Sequence, residues 1–417
     1  MKKIALSFTE GRVVRDLFHN GLLDLLTSNS ISVDLFTPAE RVKSFTQQWE
    51  QPSIKFFPLK PRNMGRKEFW TREFRKRVIN KTPGLLPNWL KFEYQRLIKP
   101  DPELIEILRN EKPDLVVLTN PILHYELPFF HAAHTLGIPT LGIIRSWDNF
   151  YKGLSFHPDT LAVWNPINHA EAVNLMKYAP ENVKIIGSTQ FDPYFSPDPI
   201  WSRKIFAKKM RFNADKPIIT IATLGAFQHQ YDETYLLDWL IGAIEEDIIP
   251  ADIQVVCRLH PTSRLEHFLK YKSYPNIRLS FIDGYIPSLS WVMSREDVVF
   301  VANLLHHSDV VISPGSTITI ETAIFDTPII VPVFHIYQPE LGDLQYNHHL
   351  STHFKRLQEL DLIPITKSSE ELGEMINKSL NNPEWYQNER KKLVEDYIYY
   401  TDGHSTQRML NLIIDLL

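Results

Sequence analysis

Ser308–Pro332 reads SDVVISPGSTITIETAIFDTPIIVP. Val310–Ile312 is a short apolar run that predicts a buried strand. Ser313-Pro314-Gly315-Ser316-Thr317 then turns the chain. The amphipathic stretch that follows predicts a helix with Glu321 in its first turns, and Pro328–Pro332 predicts the next parallel strand. Strand, turn, helix and strand make one βαβ unit. A turn of this composition leaves backbone N–H groups and hydroxyls at a helix N-terminus, where a phosphate binds. A carboxylate one helical turn further on suits the two hydroxyls of a ribose. The stretch therefore points to a nucleotide-activated donor. The same residues also describe an ordinary turn capped by Ser316 or Thr317.

The alternation extends in both directions. Upstream, strands are predicted at Ile4–Phe8, Ile31–Phe36, Ile54–Phe57, Leu115–Thr119, Pro139–Ile144, Leu161–Trp164 and Val183–Ile186. Helices are predicted at Val13–Leu26, Pro102–Asn110, Tyr125–Leu136 and His169–Tyr178. This is the pattern of a doubly wound parallel sheet. Phe191–Pro199 is Pro-rich and aperiodic, so a linker is placed there. A second αβ series follows, with strands at Ile218–Ala222, Ile253–Leu259 and Ile277–Phe281 and a helix around Tyr235–Glu245. The expected organisation is an N-terminal Rossmann-like domain over 1–192, a linker and domain entry over 193–215, a second Rossmann-like domain over 216–400, and a final helix over 401–417.

At 417 residues the chain suits two domains. Hydrophobic and charged contents of 43% and 23% are those of a globular protein. A net charge of −4 offers no global attraction to nucleic acid. The single cysteine, Cys257, lies in an apolar run; it excludes a disulfide framework and fits a reducing cytoplasm. The N-terminus, MKKIALSF, reads as a first strand and not as a signal peptide. No apolar stretch approaches the roughly 20 residues that span a bilayer. Between Lys60 and Lys99, 12 Lys/Arg and 3 Glu interleave with Phe69, Trp70, Phe74, Trp89, Phe92 and Tyr94. That composition suits an anionic membrane surface, and equally a solvated helical pair with its aromatics inside.

Arg258-Leu259-His260-Pro261 ends a strand, which puts His260 at the carboxyl edge of a parallel sheet, where such folds bind ligands. Pro261 restricts the backbone of His260 to extended or turn geometry. Ala222-Thr223-Leu224-Gly225-Ala226 closes the first strand of the second domain, and Gly225 allows the backbone to approach a ligand. The Ser-Pro-Gly-Ser-Thr turn with Glu321 resembles the donor half of GT-B glycosyltransferases. Among them is the bacterial enzyme that adds N-acetylglucosamine to lipid-linked muramyl peptide. There a Glu at the spacing of Glu321 binds ribose; Pro314 departs from that pattern. The His260-Pro261 pair resembles that of sialyl- and Kdo-transferases and of CDP-glycerol glycerophosphotransferases, where the His contacts the nucleotide phosphate. The segment SWDN…KG…PD…VWN resembles the surface-polysaccharide and CDP-glycerol-transferase-like group.

These resemblances imply two Rossmann-like domains facing across a cleft, with the C-terminal helix crossing back. The second domain would bind the donor nucleotide through Gly225, Arg258, His260, Gly315, Ser316, Thr317 and Glu321. The first would bind a glycan or lipid-linked acceptor through Arg145, Trp147, Asn149 and Lys152, with Asn120 and His124 on a neighbouring loop. An inverting transfer needs a group to take the acceptor proton. Asp148 and Glu10 are the candidate bases, with His19 behind them; each acid can equally be a helix cap or a structural partner. No metal or cofactor is expected: there is no Asp-x-Asp pair, and His348, His349 and His353 do not form a zincin motif. His306-His307 is expected to close a helix as a cation. The implied activity is metal-independent sugar transfer in cell-surface polysaccharide synthesis, in the cytoplasm or at the inner membrane face. Polyol phosphate transfer from a CDP donor, UDP-hexosamine 2-epimerisation and a non-catalytic glycan-binding scaffold are the competing readings.

Overall fold

The computed structural model describes residues 1–60, 65–66, 70, 101–122, 124–196, 200–225, 233–282, 284–342 and 353–417, excepting the side chains of Asn149 and Lys152. Most of the basic aromatic stretch 60–99, together with Ala226, His348 and His349, lies outside the described residues. The chain forms two units. One comprises Met1–Phe195, Gly284–Ser294 and Asp396–Leu417; the other comprises Ser196–Asp283 and Arg295–Glu395.

In the first unit, seven strands run parallel: β1 (Lys2–Ser7), β2 (Ile31–Thr37), β3 (Ile54–Pro58), β4 (Leu115–Leu118), β5 (Thr140–Ile143), β6 (Thr160–Val163) and β7 (Val183–Ile185). Their order is β3-β2-β1-β4-β5-β6-β7. Strands such as LVVL in β4 are buried on both faces, as their unbroken apolar sequence requires. The order reverses between β1 and β4, which makes the carboxyl ends of those two strands the switch point.

The helix predicted over Val13–Leu26 is two pieces. Val14–Phe18 is a wide turn in which His19 N–H donates to Val14 O, and Leu22–Ser28 is an α-helix. Gly21, at φ +83°, breaks the helix between them. The C-terminal helix Ser405–Leu416 packs on the same core, burying Met409, Leu410, Leu412 and Ile413 with Leu22 and Leu26. Each such apolar side chain contributes about 1.5–3 kcal/mol. Its N-terminus is held by Asp192, whose carboxylate accepts the N–H groups of Ser405 (2.9 Å) and Thr406 (2.7 Å) and the Thr406 hydroxyl (2.7 Å).

The second unit begins with β8 (Ile218–Ala222), β9 (Gln254–Arg258) and β10 (Ile277–Ser280). The chain then makes an antiparallel hairpin of β11 (Gly284–Ile286) and β12 (Leu289–Val292), turned at Pro287-Ser288 with Ser288 at φ +69°. This hairpin, which the sequence reading leaves inside the domain 216–400, belongs to the first unit: Ile286, Leu289 and Val292 are buried in its core. After the helix Arg295–His307 come β13 (Val310–Ile312), β14 (Ile329–Pro332) and β15 (Ile365–Thr366). The sheet is parallel throughout, in the order β10-β9-β8-β13-β14-β15, with its switch point between β8 and β13. Cys257 sits in the core of this sheet, where burial pushes its thiol up out of reach of ionisation. Among the described residues no helix is long and apolar enough to cross a membrane.

Candidate functional site

The second unit brings three loops to one sheet edge, because β9, β8 and β13 are parallel neighbours. After β8, Gly225 adopts φ +81°. A Cβ there would stand 2.2 Å from Thr262 Oγ1 and 2.4 Å from His260 Nδ1. Only glycine fits, and Gly225 and His260 are in direct apposition. After β9, His260 N–H donates to Thr223 Oγ1 (2.8 Å), which also meets Ser263 Oγ at 2.9 Å. His260 Nδ1 accepts from the Thr262 N–H at 3.2 Å and lies 2.8 Å from Thr262 Oγ1. An Nδ1 that accepts leaves the proton of the neutral ring on Nε2. The loop is thus locked by its own hydroxyls before any ligand is considered.

After β13, Gly315 takes φ +108°, again a glycine conformation. The Ser316 hydroxyl accepts from the Ile318 N–H (3.3 Å), and Ser316 N–H donates to Thr319 Oγ1 (3.4 Å). Thr317 occupies the N-cap of the helix Ile318–Ile324 without a side-chain cap bond. Glu321 is half-buried on the helix's first turn. Arg258 is placed differently. It is buried, donates to Ser280 Oγ on β10 at 2.9 Å and lies 6.0 Å from the Phe300 ring. The Ser280 bond directs its guanidinium toward β10, the neighbour of β9 on the side opposite β8. The sequence reading missed Glu233. Its buried carboxylate accepts the Leu224 N–H (2.6 Å) and the Gly225 N–H (3.1 Å), so it closes the same loop from the start of the next helical segment.

The switch point of the first unit is built from charge. The loop after β1 is held by the hairpin: Gly11 N–H donates to Ser290 O (2.7 Å), and a Cβ on Gly11 would lie 2.6 Å from Val292 Cγ2. Glu10 Oε2 collects Arg12 Nη2 (2.7 Å), Arg145 Nη1 (3.4 Å) and Asn120 Nδ2 (3.4 Å). Burial pushes the Glu10 carboxyl up, but the Arg12 and Arg145 guanidiniums prevail and hold it below the usual range. Arg12 in turn stacks on Trp291, 4.1 Å from the ring centroid. The Arg145 side chain is 9% exposed and also faces Asp16 at 3.6 Å; Asp16 pairs with Arg15 at 2.5 Å. Burial lowers the Arg145 pKa. Glu10, Arg145 and Asn120, singled out separately in the sequence, are therefore one cluster.

The loop after β5 is packed more than it is presented. Trp147 is 3% exposed and meets Tyr397 edge-on at 5.4 Å, and its carbonyl accepts from Asn168 Nδ2 at 3.2 Å. Asp148 is buried and accepts from Ser146 Oγ at 2.5 Å; it stands at the N-cap of the helix Asn149–Lys152 without capping it. The side chains of Asn149 and Lys152 lie outside the described residues. His19 Nε2 lies 3.1 Å from Met293 O. His124 is buried in the short turn His124–Glu126.

Beneath this edge is Glu126, which sequence reading absorbed into a helix. It is fully buried and receives the Ser7 hydroxyl (3.0 Å), the Thr119 hydroxyl (2.9 Å) and the Asn120 N–H (3.2 Å). Burial, the leading cause, raises its pKa to about 7 against the pull of those bonds and of Arg145. The signal in the sequence was an acid eight residues beyond a buried strand.

His306 and His307 end a helix as expected, but not as cations. Burial lowers both pKa values, and His307 stacks on Phe206 at 5.1 Å and meets Trp201 O at 2.8 Å. His353 is the N-cap residue of the helix Phe354–Glu359. Among the described residues no three His, Cys, Asp or Glu are grouped as metal ligands.

Comparison with known proteins agrees with this architecture. Residues 253–415 match the family model described as CDP-Glycerol:Poly(glycerophosphate) glycerophosphotransferase. The match covers less than half of the chain but contains Arg258, His260, Gly315–Thr317 and Glu321. No curated protein matches the chain in sequence at a significant level. Several solved structures match over the whole chain. MnaA of S. aureus, in a structure with UDP, is 17% identical over 100% of this chain and 98% of its own, with a TM-score of 0.59. UDP-GlcNAc 2-epimerase from Neisseria meningitidis, bound to UDP-GlcNAc, is 14% identical over 100% of both chains, with a TM-score of 0.57. A glycosyltransferase from Rickettsia africae is 10% identical over 100% and 98%, with a TM-score of 0.55. At such identities the likeness is one of fold. The chain has the α/β architecture of GT-B proteins, with two Rossmann-like units, and it resembles the CDP-glycerol glycerophosphotransferase group.

Proposed function

We propose that the chain is a transferase in the synthesis of a cell-surface polymer, with the donor nucleotide on the second unit and the acceptor on the first. The observation that carries this is the edge formed by Gly225, His260 and the Gly315–Thr317 turn at a sheet switch point, followed by Glu321. In this reading an acceptor hydroxyl attacks the donor, its oxygen bonds to the transferred group, and the bond to the nucleotide phosphate breaks. The turn N–H groups and the His260 side chain meet the charge that develops on the departing phosphate, and Glu321 takes the ribose. Of the two candidate bases Asp148 is the better suited. Glu10 already shares its oxygen with two guanidiniums, which lowers its affinity for a proton; it reads better as the anchor of Arg12 and Arg145. No resident metal or cofactor is invoked. Contact of the stretch 60–99 with an anionic membrane surface, at the cytoplasmic face, belongs to the same proposal and rests on its composition.

The transferred group is a sugar or a polyol phosphate. Transfer of a sugar follows from the GT-B resemblance and would proceed with inversion. The match of 253–415 favours the second group, a polyol phosphate delivered from a CDP donor with CMP as the leaving group.

A thermal-shift series with CMP, CDP, UDP, GDP and TDP tests the proposal, since a ligand that binds the folded state raises Tm. Selective stabilisation by CMP or CDP points to a CMP-sugar or CDP-polyol donor, and by UDP, GDP or TDP to a conventional sugar donor. Release of the sugar without any acceptor, or a product inverted at C2, would indicate epimerisation instead. No shift with any of the five would overturn the donor site and favour a glycan-binding scaffold. His260→Ala is expected to remove most turnover, and near-wild-type turnover would exclude His260 from the site.

A further inference from the structure

Hydrogen atoms can be counted around Glu126. The Thr119 hydroxyl lies 2.9 Å from Glu126 Oε1 and 2.9 Å from Ser7 O, yet it has one hydrogen to give. Ser7 Oγ reaches Glu126 Oε2 at 3.0 Å, and Asn120 N–H reaches the same oxygen at 3.2 Å. With Glu126 ionised, Oε1 and Ser7 O compete for a single hydrogen inside the fold. With Glu126 protonated at Oε1, its O–H donates to Thr119 Oγ1, Thr119 donates to Ser7 O, and Oε2 accepts from Ser7 and Asn120. Oε1 and Ser7 O then no longer compete; the Ser7 hydroxyl, which also lies 3.5 Å from Val117 O, gives its one hydrogen to the nearer Oε2.

We propose that Glu126 is a neutral carboxylic acid in the folded chain and acts as a positioning residue: its proton fixes the turn Thr119–Asn120, from which Asn120 Nδ2 reaches Glu10. The link to acceptor binding rests on the transferase reading above; the protonation state does not. Complete burial works in the same direction, raising the carboxyl to about 7. Among the described residues, the charged and titratable groups on the elements packed against it are Arg145 after β5, Glu10 after β1 and His124 in its own turn; His131 and the exposed His134 lie further along the helix it opens. Arg145 acts against protonation, and burial outweighs it. Ionisation would withdraw the Thr119 hydrogen from Ser7 O and place a second negative charge behind Glu10, loosening the turn that aligns Asn120.

The sign of the linkage is fixed. A carboxyl raised from 4.5 to about 7 on folding stabilises the protonated native state. That contribution is full at low pH and is lost as pH rises between those two values. Glu126→Gln supplies the same donor and acceptor without a titration. The stability curves of wild type and E126Q, measured by denaturant unfolding, are expected to diverge from about pH 4.5 to about pH 7 and to run parallel above. With substrates in hand, kcat/KM of the wild type is expected to fall up to about tenfold per pH unit above neutrality, a limb absent in E126Q. Parallel stability curves across the whole range would overturn the proposal. Should E126Q not fold, 13C-carboxyl NMR of the wild type decides: one glutamate signal still protonated at about pH 6 is expected, and titration of all of them below about pH 5 contradicts it. Neither the unfolding nor the NMR measurement needs a substrate. A chain without nucleotide affinity but with a protonated Glu126 would sink the transferase reading and leave this one standing.

Discussion

The two sheet edges solve the same geometric problem with different materials. In the second unit the switch point is made of backbone and hydroxyls around the buried carboxylate of Glu233: glycines at φ +81° and +108°, a His held by Thr223 and Thr262, a Ser-Thr turn. In the first unit it is made of charge: Glu10 and Asp16 interlocked with Arg12, Arg15 and Arg145. An edge of N–H and O–H donors receives anions through dipoles and not through fixed cations. An edge of paired ions is rigid and polar, and it orients a neutral hydroxyl through the hydrogen bonds left over.

Removing Arg145 should separate the two most sharply. Arg145→Met leaves Glu10 and Asp16 each with one guanidinium in a buried setting, and it is expected to cost about 3 kcal/mol of stability in denaturant unfolding. A loss below about 0.5 kcal/mol would show that Arg12 and Arg15 carry the cluster alone. Gly225→Ala attacks the other edge through its backbone. The positive φ and the approach of His260 and Thr262 are expected to cost about 1–3 kcal/mol and to weaken nucleotide binding with it. Full retention of both would mean the loop adapts, contrary to the locked geometry.

A pH-dependent effect lies toward the amino end of the first sheet. Asp34 is buried beside Lys3, with Glu111 near; burial raises its carboxyl to about 6, Lys3 opposing and Glu111 adding. Folded pKa above unfolded means that stability falls as pH rises from 3.8 to about 6. Asp34→Asn should remove that part of the slope, which for one group is at most about 1.4 kcal/mol per pH unit. An unchanged pH–stability curve would count against the raised carboxyl.

The edge of the second unit was legible in the sequence because glycine, proline and small hydroxyl residues advertise backbone geometry locally. Gly315 and Gly225 both adopt the conformations for which glycine is needed. The alternation of strands was legible for the same reason: parallel strands buried on both faces are unbroken apolar runs. Tertiary partnerships were not. Nothing near Asp192 announces that it caps a helix beginning at Ser405, and nothing near Glu10 announces Arg145. The hairpin Gly284–Val292 looked like part of the second domain because domain membership is set by what Ile286 and Leu289 pack against, not by position in the chain. Arg258 and Trp147 were read as ligand contacts from their places at strand ends, and both are engaged in packing that only the fold reveals. Glu126 and Glu233 went unremarked because their chemistry lies in partners contributed by other loops.

The division of labour between the edges is tested most directly by calorimetric titration of the stabilising nucleotide into wild type, Glu321→Ala and Glu10→Gln. If the nucleotide is held by the second unit, Glu321→Ala weakens binding by about 10–100-fold, the worth of hydrogen bonds to a charged acceptor, and Glu10→Gln leaves it unchanged. Equal affinity in Glu321→Ala, or a loss confined to Glu10→Gln, would contradict it.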